Sequence, residues 1–344
     1  MRSPQPGWAG ASSIDVHAHC VPVGVVDTLL REGGRYGIEI GEQDGRRYAV
    51  VAGRVRTGVL REDLSSTAYR LETMDRARID VQILSSWVDM TAYALPDEAG
   101  ARYARMFNEA LAATAQEAPG RFETLCTVPL QDPASAVEEL RHAVGTLGMV
   151  GVELATTVDG RELDDPAFEP FWAAAEELRC LVLLHPYASL SGRDLSRYFL
   201  ANLVGNPAES TIAIAHLIFG GVLERHPGLR ICMVHGGGFA PYQLGRWDHG
   251  FGRDARGAAA HLTRAPGEWL AEIHHDTVLH SPAAVRFLMD TVGTHRVVLG
   301  SDHPFEMGDA DPLGTLERVP GLTDEERTAV SAGNLQRLLA DVRR

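Results

Sequence analysis

Short apolar runs, most of them followed at once by a polar residue, recur along the whole chain and alternate with stretches of helical periodicity. The runs are 14–19, 80–85, 122–128, 149–154, 181–185, 230–235, 272–278 and 296–301. Between them, 65–78, 97–118, 134–146, 167–178, 195–224, 282–292 and 323–341 carry apolar residues at helical spacing. Runs that are apolar on both faces read as buried parallel strands. Eight of them alternating with helices predict an α/β fold, a distorted (β/α)8 TIM barrel, rather than an open sheet. A chain of 344 residues that is 45% hydrophobic can fill such a barrel as one domain, so 1–344 is read as a single unit. Punctuation agrees with the pattern. Pro119-Gly120 stops the stretch 107–118, and Thr323-Asp324-Glu325-Glu326 opens the last helix with a capping-box pattern.

Residues 34–58 interrupt the rhythm. Tyr36-Gly37-Ile38-Glu39-Ile40 and Arg47-Tyr48-Ala49-Val50-Val51 flank Glu42-Gln43-Asp44-Gly45, which reads as a hairpin. It follows the first strand, so it would project over the C-terminal face of the barrel, as a lid or as a passive edge.

Composition narrows the function. A net charge of −14 argues against nucleic acid and against an anionic membrane surface. No 18-residue apolar stretch exists to cross a bilayer, and residues 1–13 lack the apolar core of a signal peptide, so a cytoplasmic enzyme is expected. Cys20, Cys126, Cys180 and Cys232 form no CxxC pair and fit a reduced compartment; Cys20, beside His19, could approach a metal. There is no lysine, so Schiff-base chemistry and a lysine carbamate bridging two metals are both excluded. No Gly-x-Ser-x-Gly elbow accompanies His235-Gly236-Gly237-Gly238, and Gly250-Phe251-Gly252 does not extend to a dinucleotide fingerprint; no organic cofactor is expected.

The polar residues that close the runs carry the chemistry. His17 and His19 close the first and lie two apart, hence on one face of a strand. At this histidine content an HxH pair arises by chance about half a time per chain, so position gives it meaning. His185 follows Leu181-Val182-Leu183-Leu184, and Asp302 follows Val297-Val298-Leu299-Gly300-Ser301. Barrel enzymes gather their chemistry at strand C-termini. Three imidazoles and a carboxylate there suit one divalent metal, Zn²⁺ with Mn²⁺ as alternative, with room for solvent. His235 follows Ile231-Cys232-Met233-Val234. Glu153 ends the fourth strand, where it could bridge a second metal or orient a ligand histidine. Of His274 and His275 at most one can point inward, and His280 is a weaker candidate.

These pieces resemble the amidohydrolase superfamily, in the branch of aminocarboxymuconate semialdehyde decarboxylase and related non-oxidative decarboxylases. The resemblance rests on Asp15-Val16-His17-Ala18-His19, Leu184-His185-Pro186, His235-Gly236-Gly237-Gly238 and Gly300-Ser301-Asp302-His303-Pro304-Phe305, and extends to Gly333-Asn334. It implies that His17, His19, His185 and Asp302 bind the metal and that His235 is the acid/base, a role suited to an imidazole titrating near neutrality. It implies that Arg246, in Leu244-Gly245-Arg246-Trp247-Asp248, reaches the substrate carboxylate of a neighbouring subunit, so that the working unit is a homodimer. Arg54 or Arg56 would be the second clamp. Tyr187 and Tyr198 would line the pocket; Trp87, just past the second strand, has no counterpart in those relatives and is read as lying over the ring or chain of the substrate. His303 stands where relatives carry Tyr, and Tyr187 and Tyr198 where they carry Trp, which alters the pocket rather than the metal site.

The implied activity is metal-dependent, non-oxidative decarboxylation of an unsaturated or aromatic carboxylic acid, a small molecule resembling aminocarboxymuconate semialdehyde. The alternatives are a zinc-dependent hydrolase of a lactone or amide, a hydratase, and a metal-binding regulator without catalysis.

Overall fold

In the computed structural model, which describes residues 7–187 and 193–342, eight strands stand side by side in chain order. They are β1 (Ile14–His19), β2 (Val81–Ser85), β3 (Phe122–Cys126), β4 (Gly151–Ala155), β5 (Leu181–His185), β6 (Arg230–Met233), β7 (His274–Asp276) and β8 (Val297–Val298). Each pairs in parallel with the next. The last segment returns to the first. Val16 N–H donates to Leu299 O at 3.0 Å, His19 N–H to His303 O at 2.8 Å, and Asp302 N–H to His17 O at 2.8 Å. The expected (β/α)8 barrel is therefore present, closed by the segment that carries Asp302.

The strands are apolar on both faces because each face meets a core. Leu181 and Leu183 share an inner cluster with Val81, Ile83, Cys232 and Val298. Val182 and Leu184 belong to the outer cluster, with helix residues Phe107, Leu111, Leu140, Ile214 and Val285. Alternation of side chains along β5 then leaves His185 on the inner face, at the strand's end.

Nine helices are relevant here: α1 (Val23–Tyr36), α2 (Thr67–Arg76), α3 (Asp97–Ala115), α4 (Pro133–Gly145), α5 (Glu169–Leu178), α6 (Asn206–Phe219), α7 (Ala240–Gly252), α8 (Pro282–Val292) and α9, which joins Asp324–Thr328 to Asn334–Leu339 through a π turn. Sequence patterning contained neither α1 nor α7. In α1 the buried stripe Val25, Leu29, Gly33, Tyr36 has helical spacing, but Gly33 disguises it. A Cβ there would stand 2.2 Å from Ile38 O, so the glycine is required by packing. In α7 only Ala240 and Pro241 are buried, which leaves no stripe to detect. The helix expected over 195–224 is also corrected. Residues 195–199 are not helical, a π turn (Ala201–Gly205) precedes α6, and Gly220-Gly221 separates a further turn, Val222–Arg225. Pro207, which has no N–H to donate, sits in the first turn of α6.

The insertion forms as a flap. Ile38–Gln43 pairs antiparallel with Arg46–Val51, and Val55–Arg56 adds a third strand. Asp44 and Gly45 take φ of 52° and 72°, the twist that a two-residue hairpin turn needs. Residues 34–36, expected in the insertion, belong to α1. Among the described residues no helix is long and apolar enough to cross a membrane. Residues 1–6 of the polar N-terminal segment lie outside the described residues.

Candidate metal centre

His17 and His19 at the end of β1, His185 at the end of β5 and Asp302 after β8 bring one ligand atom each within 4.8 Å of one another. All four are buried. His17 Nε2 and His19 Nε2 face each other at 3.1 Å, and Asp302 Oδ1 lies 3.4 Å from the first and 3.2 Å from the second. Asp302 Oδ1 has no hydrogen-bond partner among the described residues.

The opposite ring nitrogens are occupied. His17 Nδ1 lies 2.7 Å from Asp276 Oδ2, His19 Nδ1 2.9 Å from Ser86 O, and His185 Nδ1 2.9 Å from Pro186 O. Acceptors at all three Nδ1 atoms keep the proton there and leave Nε2 as a lone pair. Burial and the neighbouring His19, His17 and His235 rings push His185 well below the usual histidine range, so it is neutral. Burial raises the Asp302 carboxyl, but His17, His19 and His235 overcome this and hold it well below the usual carboxylate range. Three converging ring nitrogens, an ionised carboxylate and an oxygen without a partner among the described residues fit a divalent cation.

A buried polar frame holds the ligands. Asp276 Oδ1 accepts from Gly236 N–H at 2.9 Å and Val278 N–H at 3.1 Å, which turns Oδ2 toward His17. Asp15 accepts from the His17 and Ser301 N–H groups at 3.0 and 2.9 Å, from Gln82 Nε2 at 2.8 Å and from Ser301 Oγ at 2.5 Å. Arg70, fully buried on α2, donates to Gln82 Oε1 at 2.8 Å and to His19 O at 2.6 Å. Strands β1 and β2 and the turn after β8 are thereby tied together beneath the metal ligands. Cys20 lies beside Arg70, outside the ligand set.

Glu153, fully buried, accepts from Ser86 Oγ at 3.0 Å, and its other oxygen stands 3.7 Å from His19 Nδ1. Burial pushes its carboxyl up to about 7. It lies behind His19, on the side away from the converging Nε2 atoms. Asp276 and His274 alternate with His275 along β7, so His274 shares the face of Asp276.

His235 adjoins the ligands. Its Nε2 is 3.5 Å from Asp302 Oδ2, its ring centroid is 5.1 Å from that of His17 and 5.4 Å from that of His185, and its Nδ1 has no partner among the described residues. Residues 235–238 all take positive φ. The backbone passes so close to Pro207 that a Cβ on Gly238 would come within 2.1 Å of its carbonyl. This explains the glycines better than space for a ligand does.

The remaining candidates divide. Trp87 packs at a tilt against Phe305 at 5.6 Å, and Phe305 tilts over His19 at 5.2 Å, so Trp87 joins the wall above the cluster. Arg54 donates to Ala94 O, and Arg56 donates to Gln43 and lies over the Tyr48 ring, within the flap. Neither is engaged at the cluster. Arg61, which sequence patterning did not single out, reaches the Pro304 carbonyl at 3.2 Å, two residues past Asp302. Tyr198 is 74% exposed and bonded to Arg197 rather than to the cluster. Tyr187, just past His185, is half-buried. Arg246 is exposed on α7 and has no hydrogen bond or ion pair among the described residues. Asp276, also missed, was signalled only by its place at the end of β7.

The family model described as Amidohydrolase matches residues 14–340. The 2-amino-3-carboxymuconate-6-semialdehyde decarboxylase of Dictyostelium discoideum is 30% identical over 325 residues, 93% of this chain and 89% of that protein. The gamma-resorcylate decarboxylase of Rhodococcus jostii is 32% identical over 255 residues, 69% of this chain and 77% of its own. Among solved structures, the 5-carboxyvanillate decarboxylase of Novosphingobium aromaticivorans with bound manganese superposes with a TM-score of 0.78 at 21% identity, over 97% of this chain and 98% of that one, a likeness of fold.

Proposed function

The chain belongs to the amidohydrolase family, and on that premise we propose that it is a carboxy-lyase, a metal-dependent non-oxidative decarboxylase of an unsaturated or aromatic carboxylic acid. The observation that carries this reading is the convergence of three Nε2-type lone pairs on an unpartnered Asp302 oxygen, with His235 alongside. Relatives named as decarboxylases favour carbon–carbon cleavage over the hydrolytic alternative.

His17, His19, His185 and Asp302 would hold one divalent cation. Bound there, it would supply a Lewis acid that stabilises negative charge on a substrate oxygen. Three histidines and a carboxylate suit zinc; the manganese of the solved relative makes that ion the alternative. When the bond to the departing CO2 breaks, its electron pair stays on carbon and must be matched by a proton. His235 is the group to supply it, because its ring adjoins the ligands and lies against the Asp302 carboxylate. Arg246 grips the substrate carboxylate across a homodimer interface, as a guanidinium does best in a bidentate contact. Arg61 takes the second clamp in place of Arg54 or Arg56, since it alone of the three reaches the loop after Asp302.

An apolar face supports the dimer. Leu203, Val204, Phe239, Tyr242 and Phe287 are exposed on or beside α6, α7 and α8, Tyr242 and Phe287 pack at 6.3 Å, and Arg246 follows Tyr242 by one helical turn. Four free, buried cysteines support a reducing, cytoplasmic setting.

The test is CO2 release by zinc- or manganese-loaded protein offered aminocarboxymuconate semialdehyde, 2,6-dihydroxybenzoate and 5-carboxyvanillate. Release from one of them is the expected outcome. Silence from all, with metal bound one to one, overturns the reading in favour of hydrolysis.

A further inference from the structure

The wall above the metal ligands contains a carboxylate that the proposed reaction does not use. Asp89 lies in the short turn Val88–Met90, just past Trp87. Gly58 N–H of the flap donates to its Oδ2 at 3.1 Å. Trp87 closes over the same glycine, so that a Cβ on Gly58 would meet its ring at 2.7 Å. His19, a metal ligand, and the Tyr187 hydroxyl beyond His185 are among the groups within electrostatic reach of Asp89. The carboxylate therefore adjoins the flap and the Trp87–Phe305 wall that covers His19.

Its bonding is incomplete. A carboxylate has about four acceptor positions, and among the described residues Asp89 fills one, with no arginine or histidine paired to it. Around it the wall is largely aromatic: Trp87, Phe305 and the Tyr187 ring. A partly buried anion with a single hydrogen bond in such surroundings costs free energy unless another donor arrives. Among the described residues no second donor reaches it, and it lies on the wall above the metal ligands.

We infer that Asp89 is a specificity-determining residue that accepts a hydrogen bond from a hydroxyl or amino group on the substrate, so that the site selects unsaturated or aromatic acids carrying such a donor. The inference rests on the decarboxylase reading and deepens it. An acid lacking the donor leaves Asp89 desolvated and unpaired, and a site built around a hydrogen bond rejects such analogues more strongly than a site that senses size alone. A latch for the flap through Gly58 would by itself predict no preference among ligands.

The experiment is equilibrium binding to the manganese-loaded protein, with matched pairs. Each hydroxybenzoate and aminobenzoate isomer is compared with the methylbenzoate of the same geometry, and 2-hydroxymuconate with 2-methylmuconate. The expected result is at least one donor-bearing acid that binds about ten-fold tighter than its methyl partner. In Asp89→Asn and Asp89→Leu that ratio falls below about three-fold, and Asp89→Leu binds unsubstituted benzoate or muconate at least as tightly as the natural protein does. Equal binding within every pair by the natural protein, or a preference that survives both substitutions, overturns the inference alone. If no acid binds while the metal is retained, the decarboxylase reading fails and this inference falls with it.

Discussion

One carboxylate oxygen decides which way the His17 ring presents its lone pair. Asp276 Oδ2 sits 2.7 Å from His17 Nδ1 because two backbone N–H groups hold the other oxygen. Asp276→Asn keeps the shape but loses the anion, and metal affinity is expected to fall about 10- to 100-fold in a chelator competition, with the melting temperature of the metal-loaded protein little changed. Unchanged affinity would mean that Asp276 only braces Gly236. His235→Asn is expected to retain stoichiometric metal while CO2 release drops about 10²- to 10⁴-fold; wild-type turnover would remove His235 from the mechanism. At this scale the sequence was legible where a polar residue ends an apolar run, as with His17, His185 and Asp302. The placements of Asp276, Arg61 and Asp89 were not, because they depend on neighbours on other strands and loops, not on local pattern.

Elements were legible in proportion to how much of their surface meets the core. The strands bury both faces and stand out; α7 buries two residues and does not. The start of α9 is legible for another reason, its cap. Thr323 Oγ accepts from Glu326 N–H at 3.1 Å, and Glu326 Oε2 accepts from Thr323 N–H at 3.0 Å. Thr323→Ala is expected to cost about 1 kcal/mol in denaturant unfolding. The Thr323 N–H and, despite slight desolvation, Arg286 hold the Glu326 carboxyl below its ordinary 4.5. A depressed carboxylate stabilises the fold above its unfolded value and loses that contribution as pH falls through the folded one. The stability gap between the natural protein and Glu326→Gln should therefore be full near pH 6 and shrink below about pH 4.5. A gap that grows on acidification would contradict the assignment.

For the whole molecule, the open question of chemistry is whether one chain suffices. Tyr242, 78% exposed, belongs to the apolar face and lies one helical turn before Arg246. Tyr242→Glu places a charge there, and sedimentation should then show a monomer that keeps its metal but has lost most of its turnover. A fully active monomer would show that Arg246 acts within its own chain or not at all. The barrel itself was legible in the alternation of runs. The bonds that close it were not, since nothing local announces that Leu299, Asp302 and His303 bond back to β1.

That closure sets an order of events during synthesis. A ribosome that has just added Gly300 has made His17, His19 and His185 but not Asp302, and the nascent β1 still lacks one neighbour. The complete set of donors exists only after the chain has been released far enough for its last strand to find its first, a pairing across nearly the whole sequence and hence a late one. Binding of a cation by all four donors would therefore have to wait until Asp302 is in place, and a product truncated before it would offer three of them at most.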